Sequence, residues 1–433
     1  MNILVITPFY KHDKNIASVR WTNISKRLAK SHNVIVVTQP FDDMDMKFEK
    51  YKDEDNILVA RINQKTDYEK FAINHFSAAT GDAWQNVGED GGKTFREDNV
   101  DSDNVKRKLK NKILYSSMEK KAKEYASFIC KNVIPKDMQI DVVISSACPI
   151  IEMMFGYELK KKLSCKWICD FRDLPFIEDN CDSTHRMRNY MQKQLSKADA
   201  ITVVVQKMKE DLLKSLTLDE HKISILTNGF SMDEYRKTST IQDDVLHIIH
   251  TGALYGGERK ADLLFMAITE VLKTHPDYKF SLDCAGGNNE TLIQTAEKYG
   301  LKDVVNDKGF LPREEALDLQ SSADCLLVLV HDMFAAKLFE YILFKKPIIS
   351  ITCGNRKRSE ATKFVEELNL GIATEEVTQK EDVTRLADFL AIQYERKITG
   401  KPLLYEPNEE KVAQYDHDCI TQKLEQMCLD IQK

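Results

Sequence analysis

The stretch that decides the fold is NILVITPFYKHDKNIASVRWTNISKRLAKSHNVIVVT, residues 2–38. Its two ends, NILVIT and NVIVVT, are short apolar runs rich in β-branched residues, which is typical of strands buried on both faces. Between them, SVRWTNISKRLAKSH has the apolar spacing of a helix. Because a strand, a helix and a second buried strand in this order form a βαβ unit, the stretch predicts a parallel sheet.

The same pattern recurs along the chain in two series. The first continues through ILVARI (57–62), DVVISS (141–146), KWICD (166–170) and AITVVV (200–205). The second comprises LHIIHTG (246–252), KFSLDCAGG (279–287), CLLVLV (325–330) and KPIISI (346–351). The polar stretch 230–244 between them lacks apolar periodicity. We therefore expect an α/β protein with two Rossmann-like, doubly wound parallel-sheet domains facing a cleft, and ligands at the carboxyl ends of the strands.

Composition narrows the class of protein. The 433 residues are too many for one ordinary core, which agrees with two domains. A net charge of −6 offers no overall basic field for phosphates, so no nucleic-acid partner is expected. The ten cysteines form no Cys-x-x-Cys pair, which indicates reduced thiols rather than disulfides or a zinc site. Without a leader or an apolar run of about 20 residues, the expectation is a cytoplasmic protein.

One segment breaks the alternation. Residues 78–112 are polar and include a Gly- and Asp-rich stretch, and predict a mobile loop inside the first domain. The helical pattern near 105–125 has a dense basic face and an apolar stripe. Two interpretations stay open: a solvated helix packed on the sheet, or a peripheral contact with anionic lipid at the inner face of the cytoplasmic membrane.

The chemistry-bearing residues concentrate in the second series. In HTGALYGGERKADLL (250–264), a strand ends at Thr251, a glycine turn follows, and Arg259 and Lys260 lie near the start of a helix. Glycines let backbone amides approach an oxyanion, and a helix amino terminus favours one, so the turn predicts phosphate binding. In FAAKLFEYILFKKPIIS (334–350), Lys337 and Glu340 share a helix face, which from the spacing alone is also typical of a surface ion pair.

These motifs together resemble the GT-B fold glycosyltransferases of the family 4 type, in particular a branch of group 1 with KLFEY at this place. DMFAAKLFEYILFKKPIIS is similar to the family's Glu-x7-Glu element, with Asp332 in place of the first Glu and Ala335 in place of a Gly. WICDFRDLPF, ADAITVVVQKMKEDL, ISILTNGFSMDEY and FLPREEALDLQSSADCLLVLV are similar to further family elements in the same order. The resemblance covers nearly the whole chain apart from the loop around 78–112.

The resemblance implies a nucleotide-sugar donor, with UDP as the expected nucleotide, in the second domain. Glu340 would accept hydrogen bonds from the ribose hydroxyls, and Asp332 would touch the donor sugar. Lys337, Arg259 and Lys260 would surround the diphosphate, with Lys337 and Arg259 acting as catalytic cations. The remaining implied donor contacts are Gly252, Phe310, Leu311 and Leu338, although Phe310 and Leu311 are equally compatible with core packing.

The implied acceptor is a glycan or lipid-linked glycan in bacterial surface polysaccharide synthesis. In CDFRD (169–173), Asp170 and Asp173 would orient or deprotonate the acceptor hydroxyl, while Arg172 and Arg20 would bind the acceptor. The alternative is that one of the two aspartates pairs with Arg172 to hold the turn. The resemblance further implies retention of anomeric configuration, and with basic residues at the diphosphate neither a cofactor nor a metal is expected.

The expected organisation is an acceptor-binding domain at 1–230, a nucleotide-sugar-binding domain at 231–404, and a helix within 405–433 that returns to the first domain. Two other functions stay open. A sugar-nucleotide 2-epimerase of the same fold would need acid–base residues around the sugar ring. A non-catalytic nucleotide-sugar-binding subunit would agree with the departures at Ala253, Asp332 and Ala335.

Overall fold

The computed structural model describes residues 1–11, 18–39, 48–62, 104–147, 150–174, 182–234, 241–254, 259–331, 336–355 and 357–433. The chain divides into two compact units. The first unit comprises residues 1–227 and 421–433, and the second comprises residues 228–420. Each is built around one twisted sheet with helices between its strands.

The first unit contains an eight-stranded sheet in the order β3-β4-β2-β1-β5-β6-β7-β8. Its strands are β1 (Asn2–Ile6), β2 (Asn33–Thr38), β3 (Phe48–Lys52), β4 (Leu58–Ile62), β5 (Val142–Ser146), β6 (Lys166–Phe171), β7 (Ala200–Val203) and β8 (Ile223–Ile225). Its helices include α1 (Ser18–Leu28), α2 (Asn104–Asn132), α3 (Ile151–Leu163), α4 (Asp182–Leu195) and α5 (Gln206–Ser215). Neighbouring strands are parallel except at the edge, where β3 runs antiparallel to β4.

The second unit contains a six-stranded parallel sheet in the order β11-β10-β9-β12-β13-β14. Its strands are β9 (Val245–Thr251), β10 (Lys279–Ala285), β11 (Val305–Asp307), β12 (Cys325–His331), β13 (Ile348–Cys353) and β14 (Gly371–Glu375). Its helices include α6 (Asp262–Thr274), α7 (Glu290–Lys298), α8 (Arg313–Ser322), α9 (Lys337–Ile342), α10 (Glu360–Leu368), α11 (Gln379–Ile398) and α12 (Glu409–Ala413). The last helix, α13 (His417–Asp430), begins in this unit and ends in the first.

The strand order of the second sheet fixes where a ligand would bind. From β9 the chain continues outward on one side through β10 and β11. It then crosses to the other side of β9, where β12, β13 and β14 follow in order. The winding direction therefore reverses between β9 and β12. In open parallel sheets, ligands bind at the carboxyl ends of the strands that flank such a reversal. A ligand-binding site is consequently expected at the carboxyl ends of β9 and β12.

The apolar runs of the second sheet are buried on both faces. Along β9, Ile248 packs into one core cluster and Ile249 into the other, as expected from the alternation of side chains along a strand. The same division separates Leu327 from Leu326 in β12. Because helices cover both faces, continuous apolar runs rather than alternating ones form these strands.

The predicted class of two Rossmann-like parallel sheets is confirmed, and every apolar run singled out in the sequence contributes to a strand. Strands β3, β8, β11 and β14 were not predicted. Their sequences FEKYK, ISI, VND and GIATE are short or polar, and each lies at the edge of its sheet. An edge strand has a neighbouring strand on one side only, so it need not carry a long apolar run, although β14 is buried except at Gly371.

The predicted loop at 78–112 requires a correction. Residues 78–103 lie outside the described residues, but residues 104–112 are helical because α2 begins at Asn104. Further along α2, Met118, Ala122, Ala126 and Ile129 are buried in the core, while Lys120 is exposed. This part of the helix therefore packs on the sheet. No described helix has both the length and the apolar character needed to cross a bilayer.

The limits of the units differ from the expected domain boundaries at 230/231 and 404/405. Residues 405–420 lie with the second unit, where Val412 is buried and the Phe230 backbone bonds to Tyr415 and His417. The final residues lie with the first unit: Glu425 contacts His32 at 2.8 Å, and the Gln432 side chain donates to the Asp141 carbonyl at 3.0 Å.

Replacing Gly156 with Ala should destabilise the first unit, although Ala normally favours a helix by about 1 kcal/mol over Gly. A Cβ at this position of α3 would lie 2.3 Å from Trp167 Nε1 and 2.5 Å from Ser145 Oγ. Those two atoms share a buried hydrogen bond of 2.9 Å. Overpacking of this kind costs about 1–3 kcal/mol, which urea unfolding followed by circular dichroism would measure. Ser127→Ala, on the exposed face of α2, is the control, and an unchanged midpoint for Gly156→Ala would contradict the packing argument.

Candidate functional site

Two glycines bring the carboxyl ends of β9 and β10 together. Gly252, directly after β9, has a φ of 132°, and Gly286, directly after β10, has a φ of 152°, a region that L side chains rarely adopt. A Cβ on Gly286 would lie 2.1 Å from the Gly252 carbonyl oxygen. The amide of Gly252 donates to the Ala285 carbonyl at 2.8 Å, so the two strand ends are joined through their backbones.

Glu340 lies at this edge of the sheet, on α9, and only 7% of its side chain is exposed. Its Oε1 accepts hydrogen bonds from Lys337 Nζ at 2.9 Å and Gln320 Nε2 at 2.9 Å. Its Oε2 accepts one from Arg313 Nη1 at 2.8 Å. The Lys337–Glu340 pair expected from the helix spacing is therefore present, but it belongs to a buried cluster rather than to an exposed helix face.

The two neighbouring cations keep Glu340 ionised. Burial by itself would raise the pKa of the carboxyl group, but the positive charges of Lys337 and Arg313 outweigh it and lower this pKa to about 2. Burial would likewise lower the pKa of Lys337, and the attraction of Glu340 instead raises it. Both groups are thus charged at neutral pH, and the cluster carries a fixed carboxylate.

A second layer of hydrogen bonds ties this carboxylate to the sheet. Gln320 is fully buried, and its Nε2 also lies 2.7 Å from Thr251 Oγ1 at the end of β9. The amide of Thr251 donates to the Tyr341 hydroxyl at 3.2 Å, and that hydroxyl lies 3.3 Å from the Leu327 carbonyl of β12. Helices α8 and α9 are therefore held against the two strands that flank the reversal.

His250 lies beside the same cluster, buried near the end of β9. Its Nδ1 lies 3.1 Å from the Leu327 carbonyl and therefore donates to it. Burial, with the charges of Lys337 and Arg259, lowers the pKa of this histidine to about 4. Lys337 and Arg259 are thus the two cations whose charge acts on this imidazole. In the described part of the chain, His250 Nε2 has no hydrogen-bond partner.

Four other residues expected at the donor site differ in how exposed their side chains are. Arg259 is half-buried and donates to the Ala253 carbonyl at 3.3 Å, so it lies over the glycine turn. Lys260 has an exposed side chain, and its backbone contacts Cys353 Sγ at 3.2 Å. Phe310 is 83% exposed and Leu311 is half-buried, so core packing of Phe310 is excluded.

The predicted contact of Leu338 with the donor requires a correction. Its side chain is fully buried in the core cluster that contains Leu326 and Ile348, because the apolar face of α9 packs on the sheet. A donor contact through the Leu338 side chain is therefore wrong. Asp332, with Ala335, lies outside the described residues.

Sequence reasoning missed Arg313, Gln320, Thr251 and Tyr341. Arg313 and Gln320 lie in α8, whose sequence REEALDLQSS carries Gln320 on the same face as the buried Leu317. A glutamine at a core-facing position was the available signal, because a buried amide requires a polar partner.

In the first unit, the four predicted acceptor residues divide into an interior pair and two residues on a turn. Asp170 is fully buried and accepts hydrogen bonds from Arg20 Nη2 at 2.9 Å and Thr202 Oγ1 at 2.7 Å. Arg20, itself 4% exposed, also donates to the carbonyls of Leu226 and Thr227. Arg20 and Asp170 thus form an interior ion pair, and their predicted contact with an acceptor is wrong for this conformation.

The turn after β6 presents the other two candidates. Asp173 is exposed, and Arg172 is half-buried with its guanidinium 5.8 Å from the centre of the Phe9 ring, a cation–π contact. The alternative in which Asp170 pairs with Arg172 is not observed, because Arg20 takes that place. Asp173 is consequently the accessible carboxylate of the predicted pair.

The lowered pKa of His250 predicts a specific pH dependence. Its neutral form is favoured in the folded state, so its contribution to stability is present above the unfolded pKa of about 6.5 and is lost as the pH falls towards 4. The free energy of unfolding should fall between pH 7 and pH 4 by roughly 3 kcal/mol more in the wild type than in His250→Gln. Urea unfolding at the two pH values measures both, and identical pH dependence in the two proteins would contradict the assignment.

Neither a protein-family model nor a curated protein matches the chain. Solved structures do match its fold over nearly their whole lengths. A Rickettsia africae glycosyltransferase has a TM-score of 0.59 at 14% identity, covering 100% of this chain and 98% of that one. The E. coli trehalose-6-phosphate structure bound with UDP-2-fluoro glucose has a TM-score of 0.67 at 12% identity, covering 100% and 99%.

A third structure, Anabaena HepE in complex with UDP and glucose, has a TM-score of 0.58 at 11% identity, with 98% of each chain covered. Sequence identities this low support a common fold and nothing further. The two parallel-sheet units of this chain have the GT-B fold that these solved structures share.

Proposed function

We propose that the protein is a glycosyltransferase whose nucleotide-sugar donor, a UDP-sugar, binds at the carboxyl edge of the second sheet. The observation that carries this proposal is the buried, ionised carboxylate of Glu340 beside β9 and β12, with Lys337 bound to it and Arg259 over the glycine turn that follows β9. A carboxylate accepts hydrogen bonds from vicinal hydroxyls, as a ribose presents them. The solved neighbours that hold UDP or UDP-2-fluoro glucose on the same fold support this choice of ligand.

The arrangement can assist departure of a nucleoside diphosphate. Positive charges fixed around a leaving diphosphate stabilise the charge that develops there, and they act most strongly where water is excluded. Lys337 and Arg259 are both at least half-buried, whereas Lys260 is exposed at the same turn. With these cations available, we propose that transfer proceeds without a metal or another cofactor.

We further propose that the reaction retains anomeric configuration and that the leaving phosphate takes the acceptor proton. That route requires no dedicated base, which agrees with the burial of Asp170 against Arg20. Asp173 and Arg172 would then orient the acceptor hydroxyl. Asp332 would touch the donor sugar, and Phe310 and Leu311 would line the base.

The proposed acceptor is a glycan or lipid-linked glycan, in the synthesis of a bacterial surface polysaccharide. A lipid-linked acceptor would place the protein at the inner face of the cytoplasmic membrane. The basic segment 105–125 would then meet anionic lipid, since basic helices adsorb to such surfaces. The resemblance of the motifs to family 4 enzymes supports this acceptor.

Titration calorimetry without added metal should show binding of UDP, and Glu340→Gln should weaken it about ten- to hundredfold. The reason is that a hydrogen bond to a charged group contributes about 1.5–3 kcal/mol, and each 1.4 kcal/mol corresponds to about a factor of ten. Glu395→Gln, at an exposed position of α11, is the control. If UDP, GDP and their sugars all failed to bind, the proposed function would be wrong.

Lys337→Ala should lower turnover about a hundredfold or more in a folded protein if Lys337 neutralises the leaving diphosphate. Donor hydrolysis serves as the assay, and product analysis with donor alone would reveal an epimerase. The matched control is Lys273→Ala, because Lys273 and Glu270 form an exposed pair at the same helix spacing. Arg259→Ala should behave like Lys337→Ala, with less than additive losses in the double variant since both charges serve one anion. Full turnover in Lys337→Ala would leave the lysine a purely structural partner of Glu340.

A further inference from the structure

Most of the hydrogen-bond-accepting sites of the Glu340 carboxylate are occupied by protein side chains before any ligand binds. Two carboxylate oxygens offer about four lone-pair sites. Lys337 and Gln320 occupy Oε1, and Arg313 occupies one site of Oε2. A ribose that presents both of its hydroxyls to this group needs two sites, while one remains. One of the three present donors must therefore leave when a complete ribose binds.

The three donors differ in how readily they can leave. Gln320 is fully buried and also holds Thr251, so moving it would leave a buried donor unsatisfied, which is costly. Lys337 lies three residues before Glu340 on the same helix and stays within its reach. Arg313 comes from a different helix and its side chain is 28% exposed, so its guanidinium can regain water on leaving Oε2.

We propose that Arg313 is a specificity-determining residue that competes with the second ribose hydroxyl for Oε2 of Glu340. The inference rests on the proposed function, since it concerns the same donor site. A ligand with both ribose hydroxyls binds only as Arg313 is displaced, whereas a ligand with one hydroxyl occupies the remaining site. Arg313 thereby reduces the advantage of a ribonucleotide over a 2′-deoxyribonucleotide.

Displacement of Arg313 leaves no isolated buried charge. Lys337 and Gln320 remain on Oε1, so the carboxylate keeps a cation at 2.9 Å throughout. A buried ion that loses its last partner is strongly destabilising, and this cluster avoids that outcome by holding two cations rather than one. The same reasoning predicts that removal of Arg313 leaves the second unit folded.

The test is titration calorimetry of UDP and of 2′-deoxyuridine diphosphate, without metal and at fixed salt. Arg313→Ala should bind UDP about two- to fivefold more tightly than the wild type, because a partly exposed ion pair no longer has to be broken. Its affinity for 2′-deoxyuridine diphosphate should equal that of the wild type. Arg313→Gln, which keeps a neutral donor, should show a smaller gain for UDP alone.

The control is Arg385→Ala, because Arg385 pairs with the buried carboxylate of Asp382 elsewhere in the same unit. This variant should leave both affinities unchanged. Circular dichroism verifies that each protein is folded. If Arg313→Ala does not fold, the comparison is made with Arg313→Gln.

Several outcomes overturn the inference. Weaker UDP binding by Arg313→Ala would make Arg313 a direct donor contact, and unchanged binding would show that no competition occurs. An equal gain for both nucleotides would remove the link to the second hydroxyl. A wild-type protein that binds no nucleoside diphosphate would instead refute the proposed function, which distinguishes the two failures.

Discussion

The second unit depends on one constraint: a carboxylate withdrawn from water must be surrounded by donors. Glu340 is 93% covered by protein, and an uncompensated charge there would be strongly destabilising. Its compensation requires α8 to supply Arg313 and Gln320 and α9 to supply Lys337. Because Gln320 and Tyr341 also bind Thr251, the same bonds fix both helices to the end of β9. Replacing such clusters with apolar residues is often neutral or stabilising, which favours a functional reason for the charge.

The first unit contains a buried ion pair with a different consequence. Asp170 is more deeply buried than Glu340, and its cation Arg20 is also nearly covered and is bound to the backbone carbonyls of Leu226 and Thr227. Arg20 cannot turn to water without breaking several of these bonds. Lys337 and Arg313 are each about a quarter exposed. The accessibility of the partners, more than the burial of the acid, therefore distinguishes Glu340, which we propose to bind a ligand, from Asp170 in the interior.

The same contrast explains what the sequence could predict. Apolar β-branched runs predicted the strands because parallel strands are buried on both faces, and the three-residue spacing predicted the Lys337–Glu340 pair because it is local. Arg313 and Glu340 lie 27 residues apart, and Arg20 and Asp170 lie 150 apart. Such pairs are set by how helices dock on the sheet, which no local pattern records. Leu338 shows the converse error, since a motif position was taken as a ligand contact while its apolar side chain belongs to the core.

The charge of the site is fixed before a ligand arrives, although its hydrogen-bonding sites are not vacant. The strand reversal, the glycine-permitted contact between Gly252 and Gly286, and the docking of α8 and α9 together fix the carboxylate in position. In the proposed donor site, one ribose hydroxyl takes the remaining vacant site of Glu340, while the second must replace an existing hydrogen bond, so the net gain from the second hydroxyl is reduced. Selectivity must then come from the number and spacing of hydroxyls that can replace a resident donor. The proposed donor site would thus recognise a ribose by the resident hydrogen bonds that its hydroxyls are able to displace.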